Sequence, residues 1–218
     1  MSKILGVIGG MGPAATVDFL AKLQAATPAA RDQDHVRVLM DMNPQVPDRN
    51  TGGEAGPVLG EMAVRLRDAG AQVLAMPCNT AHAYAPDIKV AGLPFIDMIK
   101  TAGEAASAAG AARPGVLGTP SALALYRGRL ASMGLEPVLL HPETQARFME
   151  LLYRIKGGDL TVGGEMAALA GALIDDGADA VIAGCTEVPL VIGAQDVAVP
   201  LIDATEALAR RCVEACLA

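Results

Sequence analysis

The strongest constraint on the fold is a strand end that occurs twice. The first copy reads Gly70-Ala-Gln-Val-Leu-Ala-Met-Pro-Cys78-Asn-Thr80 and the second Gly177-Ala-Asp-Ala-Val-Ile-Ala-Gly-Cys185-Thr-Glu187. Each opens on Gly-Ala, runs through a short apolar stretch and sets a cysteine where that stretch stops. Other landmarks recur at nearly the same offset. Gly115-Val-Leu-Gly118 follows Gly6-Val-Ile-Gly9, and Val199-Pro-Leu-Ile-Asp203 restates Leu93-Pro-Phe-Ile-Asp97. The offsets are 107 residues for the cysteines and the Gly-Ala pairs, 109 for the first glycine stretch and 106 for the last motif. Matches in the same order at one spacing make an internal duplication.

Each half alternates short apolar runs with helical stretches, the pattern of a parallel sheet covered by helices. In the first half, strands are predicted at 3–9, 36–42, 71–77 and 93–96. Helices are predicted to about residue 26, from about 56 to Gly70, and from about 98 to 110. The segment Asn43–Gly53 is too rich in Pro and Gly for regular structure. In the second half, strands are predicted near 115–118, 136–140, 178–184 and 199–203. The helices are placed near 122–133 and 143–156, then up to about 176, and across about 204–217. The expected fold is α/β, with two similar parallel-sheet, flavodoxin-like lobes related by a pseudo-two-fold axis. The lobes are expected at 1–98 and 99–205, with the helix 206–218 packing back on the first. Ligands of open parallel sheets sit at the carboxyl ends of the strands. Cys78 and Cys185 stand at equivalent strand ends, so the active site is expected in the cleft between the lobes, with the thiols facing each other.

Composition narrows the partners. The 218 residues carry a net charge of −7, which excludes a general nucleic-acid or anionic-membrane binder. Aromatic residues make up only 3% and tryptophan is absent, as suits closely packed small side chains. The start, Met1-Ser-Lys-Ile-Leu, lacks the features of a signal peptide, and no stretch reaches the ~18 apolar residues of a membrane span. A cytoplasmic protein is expected. Its four cysteines are then thiols, and without a Cys-x-x-Cys or Cys/His cluster no metal site is expected.

Two facing thiols admit a disulfide, a pair of inert core residues, or chemistry. Polar followers (Asn79, Thr80; Thr186, Glu187) and the duplication favour chemistry. Each cysteine precedes an expected helix start, where the helix dipole favours thiolate. A thiolate on one side of a carbon removes a proton, and a thiol on the other side returns one. The product is the mirror image, and a duplicated protein supplies equivalent surroundings for both directions.

Gly6-Val-Ile-Gly-Gly-Met-Gly-Pro13, Asn43-Pro-Gln-Val-Pro-Asp-Arg49, Met76-Pro-Cys-Asn-Thr-Ala-His82, Ala183-Gly-Cys-Thr-Glu187 and Val199-Pro-Leu-Ile-Asp203 together resemble the aspartate/glutamate racemase family, most closely its aspartate racemase branch. The resemblance spans essentially the whole chain. It implies a cofactor-independent amino-acid racemase, a homodimer, acting on an acidic amino acid, aspartate before glutamate. It makes Cys78 and Cys185 the two acid/base residues. Asn79, Thr80 and Thr186 are then donors to the substrate α-carboxylate, and Arg49 and Lys156 basic positions around the acidic substrate. Asn43 and Met11 line the site. Thr119 and Ser121 stand in a turn shorter and less threonine-rich than is usual in the branch. Glutamate racemases typically carry His after the second Cys-Thr, where this chain has Glu187.

Other readings stay open on the residues alone. The same two cysteines would suit a different isomerisation of a small dicarboxylate, and the same lobes a non-catalytic amino-acid-binding protein. Gly10-Met-Gly-Pro-Ala-Ala15 fits a dinucleotide fingerprint, but a nucleotide lobe has no use for a duplicated thiol. His82 either tunes Cys78 or is structural. Glu187 either positions Cys185 or starts a helix. Asp97 and Asp203 read as helix caps, and Cys212 and Cys216 as packing residues on one helix face.

Overall fold

The computed structural model describes residues 2–50 and 53–218. Met1 lies outside them, as do Thr51 and Gly52 of the expected polar loop. The chain forms two compact units. One comprises residues up to Met98 together with Thr205–Ala218, and the other is Ile99–Ala204.

Unit 1 is built on four parallel strands: β1 (Leu5–Gly9), β2 (Val38–Met42), β3 (Val73–Ala75) and β4 (Phe95–Ile96), in the order β2-β1-β3-β4. Its helices are α1 (Pro13–Ala26), α2 (Ala55–Asp68) and the short α3 (Ala85–Lys89). The helix α4 (Met98–Ala108) begins at its last residue. Unit 2 repeats the arrangement with β5 (Pro114–Leu117), β6 (Val138–Leu139), β7 (Ala180–Ala183) and β8 (Leu201–Asp203), ordered β6-β5-β7-β8 and all parallel. It carries α5 (Pro120–Ser132), α6 (Pro142–Lys156) and α7 (Gly163–Asp175). The chain ends in α8 (Ala204–Leu217), nearly all of it in unit 1, where the Lys3 N–H donates to the Cys216 carbonyl at 2.8 Å.

The duplication is a duplication of register as well as of order. Gly6 stands opposite Leu74, and Gly115 opposite Val181. Each cysteine comes four residues after the partner of its glycine. The glycines are needed because both strands are closely packed, Gly6 by the adjacent strand β3 and the turn after α2, and Gly115 by α7 and the turn after it. A Cβ at Gly6 would lie 2.7 Å from Leu74 and 2.8 Å from Ala71. One at Gly115 would lie 3.0 Å from both Ala178 and Leu173. Both helices end on a left-handed glycine, Gly70 (φ +103) and Gly177 (φ +91). The next N–H, of Ala71 or Ala178, returns to the carbonyl of Leu66 or Leu173 at 3.0 Å.

The central strands are buried on both faces, as parallel sheets with helices on each side require. In unit 1 the α2 face Leu59-Met62-Ala63-Leu66 packs with Ile8, Leu74 and Met76. In unit 2 the α7 face Met166-Leu169-Ala170-Leu173 packs with Leu117, Val181 and Ala183. Each fully buried Leu or Met contributes about 1.5–3 kcal/mol. Prolines open α1, α5 and α6 at their first position, where a missing N–H costs nothing.

Two differences from the sequence reading have local causes. The strands are shorter than their apolar runs: β3 ends at Ala75, because Pro77 has no N–H for a ladder. Residues 80–89 are helical, as a 3-10 segment Thr80–Tyr84 followed by α3, although their sequence carries no amphipathic pattern.

Candidate active site

In each sheet the chain runs outward one way from the first strand and then crosses to the other side. The crevice of an open α/β sheet forms at that reversal, beyond the carboxyl ends of the two central strands. In unit 1 these ends are those of β1 and β3, which lead into Gly9-Gly10 and Cys78. In unit 2 they are those of β5 and β7, which lead into Gly118 and Cys185. Neither cysteine is in a disulfide, and both are buried.

Around Cys78 the structure gathers the predicted residues of unit 1. Met11 shares its apolar cluster, with Ile8, Val46 and Ala81. Gly10, at φ +98, lies so close to Asn43 that a Cβ would meet that backbone at 2.5 Å. The Asn43 N–H donates to the Gly9 carbonyl at 3.2 Å, and its Oδ1 accepts from the Gln45 N–H at 2.9 Å. Asn79 and Thr80 are buried where the 3-10 segment begins. Tyr84, at the end of that segment, donates its hydroxyl to the Arg49 carbonyl at 3.4 Å. The Arg49 Nε is buried and has no hydrogen-bond acceptor.

His82 is buried beneath Cys78. Its Nδ1 is 2.8 Å from the Cys78 carbonyl, and its Nε2 accepts from the Met98 N–H at 2.9 Å. A backbone N–H can only donate and a carbonyl can only accept. The ring is therefore the neutral tautomer with its proton on Nδ1. Burial pushes its pKa down, against the smaller opposing effects of the Cys78 carbonyl, Asp97 and the Ile96 backbone.

Around Cys185 the arrangement is different. Its Sγ–H donates to Glu187 Oε2 at 3.0 Å, and the Thr186 hydroxyl donates to the same oxygen at 3.3 Å. The other oxygen of Glu187 takes the Lys156 ammonium. Lys156 ends α6, immediately before Gly157 and Gly158. Glu187 is only 4% exposed, so its charge rests on Lys156 and on these two hydrogen bonds. Burial raises the Cys185 pKa well above that of an ordinary thiol, and the Glu187 carboxylate adds to the rise against the opposing pull of Lys156. The expectation of a dipole-stabilised thiolate at this cysteine is therefore corrected. The helix expected after it is only a single 3-10 turn, Val188–Leu190, whose dipole is weak beside burial and an adjacent carboxylate.

Thr119 comes directly after Gly118 and is buried; its Oγ1 caps α5 by accepting from the Ala122 N–H at 3.2 Å. Ser121 lies in the first turn of the same helix. Gly118 sits against the Gly184 carbonyl, 3.3 Å from where its Cβ would be, which brings the Thr119 turn beside the Cys185 strand end. Glu187, left open from sequence between positioning Cys185 and starting a helix, is absent from the site residues expected there, and the structure puts it on the Cys185 thiol. Gln145 of α6 is absent too; its Nε2 donates to the Gly118 carbonyl at 3.0 Å while its buried Oε1 has no partner. No motif marks Gln145. Among the described residues no group of three or more His, Cys, Asp or Glu could hold a metal ion, and no helix is long and apolar enough to cross a membrane.

Comparison with known proteins agrees with this architecture. The chain is 30% identical over 229 residues to a broad specificity amino-acid racemase of Bacillus subtilis (strain 168), covering 99% of each chain. It is similar to the solved aspartate racemase of Picrophilus torridus, with 28% identity, a TM-score of 0.84, and coverage of 98% of this chain and 94% of that one. An aspartate racemase homologue from Pyrococcus horikoshii OT3 shares the fold, with a TM-score of 0.83, 24% identity and complete coverage of both chains. Residues 8–212 match the Asp/Glu/hydantoin racemase family, and the chain belongs to that family.

Proposed function

We propose that this enzyme racemises an acidic amino acid, aspartate before glutamate, without a cofactor, using Cys78 and Cys185 as its two acid/base groups. The observation that carries the reading is the equivalence of the cysteines. Each comes after the same strand, at the same register, in two sheets of one topology. Cys185 rests as a thiol, hydrogen-bonded to Glu187, and is the proton donor of the resting enzyme. Cys78 is then the base. Its thiolate takes the α-proton as the C–H bond breaks, and the electron pair stays on the α-carbon and its carboxylate. The Cys185 S–H then delivers its proton to the opposite face. This leaves the other enantiomer, a protonated Cys78 and an ionised Cys185.

The carbanion-like transition state needs donors at the carboxylate. Asn79, Thr80 and Thr186 adjoin the two cysteines, with Thr119 and Ser121 at the neighbouring β5 turn. Arg49 is assigned to the substrate side chain, and its buried, unpartnered Nε suits a donor that gains an acceptor from a ligand. The Lys156 ammonium has three hydrogens, so it can hold Glu187 and still meet a substrate carboxylate. Met11 and Asn43 shape the wall beside Cys78. The homodimer implied by the sequence resemblance belongs to the same reading and is checked by sedimentation.

The test is solvent-deuterium incorporation at the α-carbon of D- and L-aspartate and glutamate, with neutral amino acids alongside. Exchange and racemisation of aspartate are expected. Turnover confined to neutral amino acids would overturn the substrate assignment. Cys78→Ala and Cys185→Ala should each abolish racemisation. One-handed exchange should survive better in Cys185→Ala, which keeps the base of the resting enzyme. Full racemisation by either variant would sink the two-base scheme.

A further inference from the structure

We propose that His82 is a positioning residue for Cys78, a neutral imidazole bridge that ties the Cys78 backbone to the first N–H of α4. The inference rests on the two-base reading only for its effect on turnover; the bridge stands on geometry. Three observations define it. The ring is buried, with both nitrogens occupied, at 2.8 Å by the Cys78 carbonyl and at 2.9 Å by the Met98 N–H. It packs against Phe95 with ring centroids 5.2 Å apart, so apolar contact as well as hydrogen bonding fixes its orientation. Met98 is the first residue of α4, and its N–H is among the four that a helix cannot satisfy internally. The acceptor comes from a side chain sixteen residues earlier in the chain.

The bridge has one correct protonation state. The Met98 N–H must meet a lone pair on Nε2, and the Cys78 carbonyl must meet a proton on Nδ1. A second proton would set two donors against each other at Nε2. Asp97 is the charged group whose field reaches the ring and favours that second proton, while burial opposes it. Cys78 sits between the end of β3, which stops at Ala75, and a 3-10 segment, without a long helix to hold it. The carbonyl of Cys78 is therefore a direct handle on the thiol's position. Sub-ångström placement of a reacting group changes rates steeply, and a misplacement of about 1 Å can cost on the order of 10²-fold.

The experiment combines imidazole nitrogen NMR of the full chain with three variants. In the wild type, Nε2 is expected to give an unprotonated signal and Nδ1 a protonated one near neutral pH. A protonated Nε2 would overturn the proposal whether or not the protein racemises anything. His82→Gln places an acceptor near Nε2, His82→Asn a donor near Nδ1, and His82→Ala neither. Alkylation of Cys78 and Cys185 by iodoacetamide is followed separately by mass spectrometry. His82→Ala should change the Cys78 rate several-fold and leave the Cys185 rate within twofold. On an exchanging substrate it should lower kcat by about 10- to 100-fold with little change in KM, and Asn should restore part of the loss. Equal changes at both cysteines would mark a general loss of structure and refute a positioning role. If no amino acid is turned over but the NMR and alkylation results hold, the bridge stands and the two-base reading falls.

Discussion

Removing the Lys156 ammonium strands a buried carboxylate, and the size of that penalty tests the Cys185 surroundings directly. In Lys156→Met, Glu187 keeps the Cys185 thiol and the Thr186 hydroxyl but loses its counter-charge. Breaking a fully buried ion pair from one side costs about 3–5 kcal/mol. Here the Lys156 side chain is 30% exposed while the side chain of Glu187 is 5% exposed, so water already screens one end of the pair. A cost of about 2–4 kcal/mol is expected. Neutralising the stranded group should reverse much of it. The double variant Lys156→Met with Glu187→Gln leaves only an imperfectly paired amide, at about 1–2 kcal/mol. The double variant is thus expected to be more stable than Lys156→Met alone. Urea unfolding at neutral pH measures this. With a slope of about 2–3 kcal/mol per M, a 3 kcal/mol loss lowers the midpoint by about 1–1.5 M. If the two single effects simply add, Lys156 is not the group that holds the Glu187 charge, and the account of a thiol kept protonated beside a charged carboxylate fails.

Two further outcomes are expected from the same structure. The folded Cys185 pKa is raised, so the stability gained by keeping it a thiol is complete below the unfolded value of about 8.5 and is lost as pH rises from there towards the folded value; Cys185→Ala should flatten the alkaline fall in unfolding midpoint, and an unchanged fall would refute the assignment. Gly6→Ala and Gly115→Ala should each cost about 1–3 kcal/mol by crowding Ala71 and Leu74 in unit 1 and Ala178 and Leu173 in unit 2, with Gly6 the worse because the Ala71 Cβ, which cannot swing aside, is 2.8 Å away against 3.0 Å at Gly115; thermal unfolding decides, and a neutral Gly6→Ala would remove the argument from close packing.

Sequence carried the architecture far because the duplication acts at every level at once. The spacing of Gly6, Gly70 and Cys78 encodes a close helix approach, a left-handed helix end and a strand terminus, and the second half repeats all three. The membership in a racemase family was legible for the same reason. Strand lengths were not, because apolar runs continue past the last ladder bond wherever proline or a turn intervenes, as at Pro77. The helical segment 80–89 lacks a clean amphipathic period and is fixed by packing. Least legible was the state of the thiols. Cys185 reads in sequence as a cysteine before a helix, but its protonation is set first by burial and then by Glu187, against the pull of Lys156, which lies 31 residues from Glu187. The partner of Gln145, the Gly118 carbonyl 27 residues away, is likewise a tertiary fact with no sequence signal.

The two strand ends are therefore alike in backbone and unlike in control. At Cys78 the handle is structural: an imidazole grips the carbonyl and leaves the thiol's charge to its other neighbours. At Cys185 the handle is electrostatic: a carboxylate grips the thiol itself, and an ammonium balances the carboxylate. A symmetric proton exchange between two faces would need no such difference, and an enzyme resting in either protonation pattern would serve. On the two-base proposal, the difference selects one pattern, with Cys185 carrying the proton. In the proposed two-base scheme, catalysis in one direction would then start from the resting state. The other direction starts from an ionised Cys185 beside Glu187, a state that the carboxylate disfavours and the Lys156 ammonium partly offsets. On the same proposal, a substrate carboxylate drawn towards Lys156 would weaken that offset and couple binding to protonation state through one side chain. The duplication supplied two equivalent thiols, and the residues after them, Asn79-Thr80-Ala81-His82 on one side and Thr186-Glu187 on the other, made them unequal.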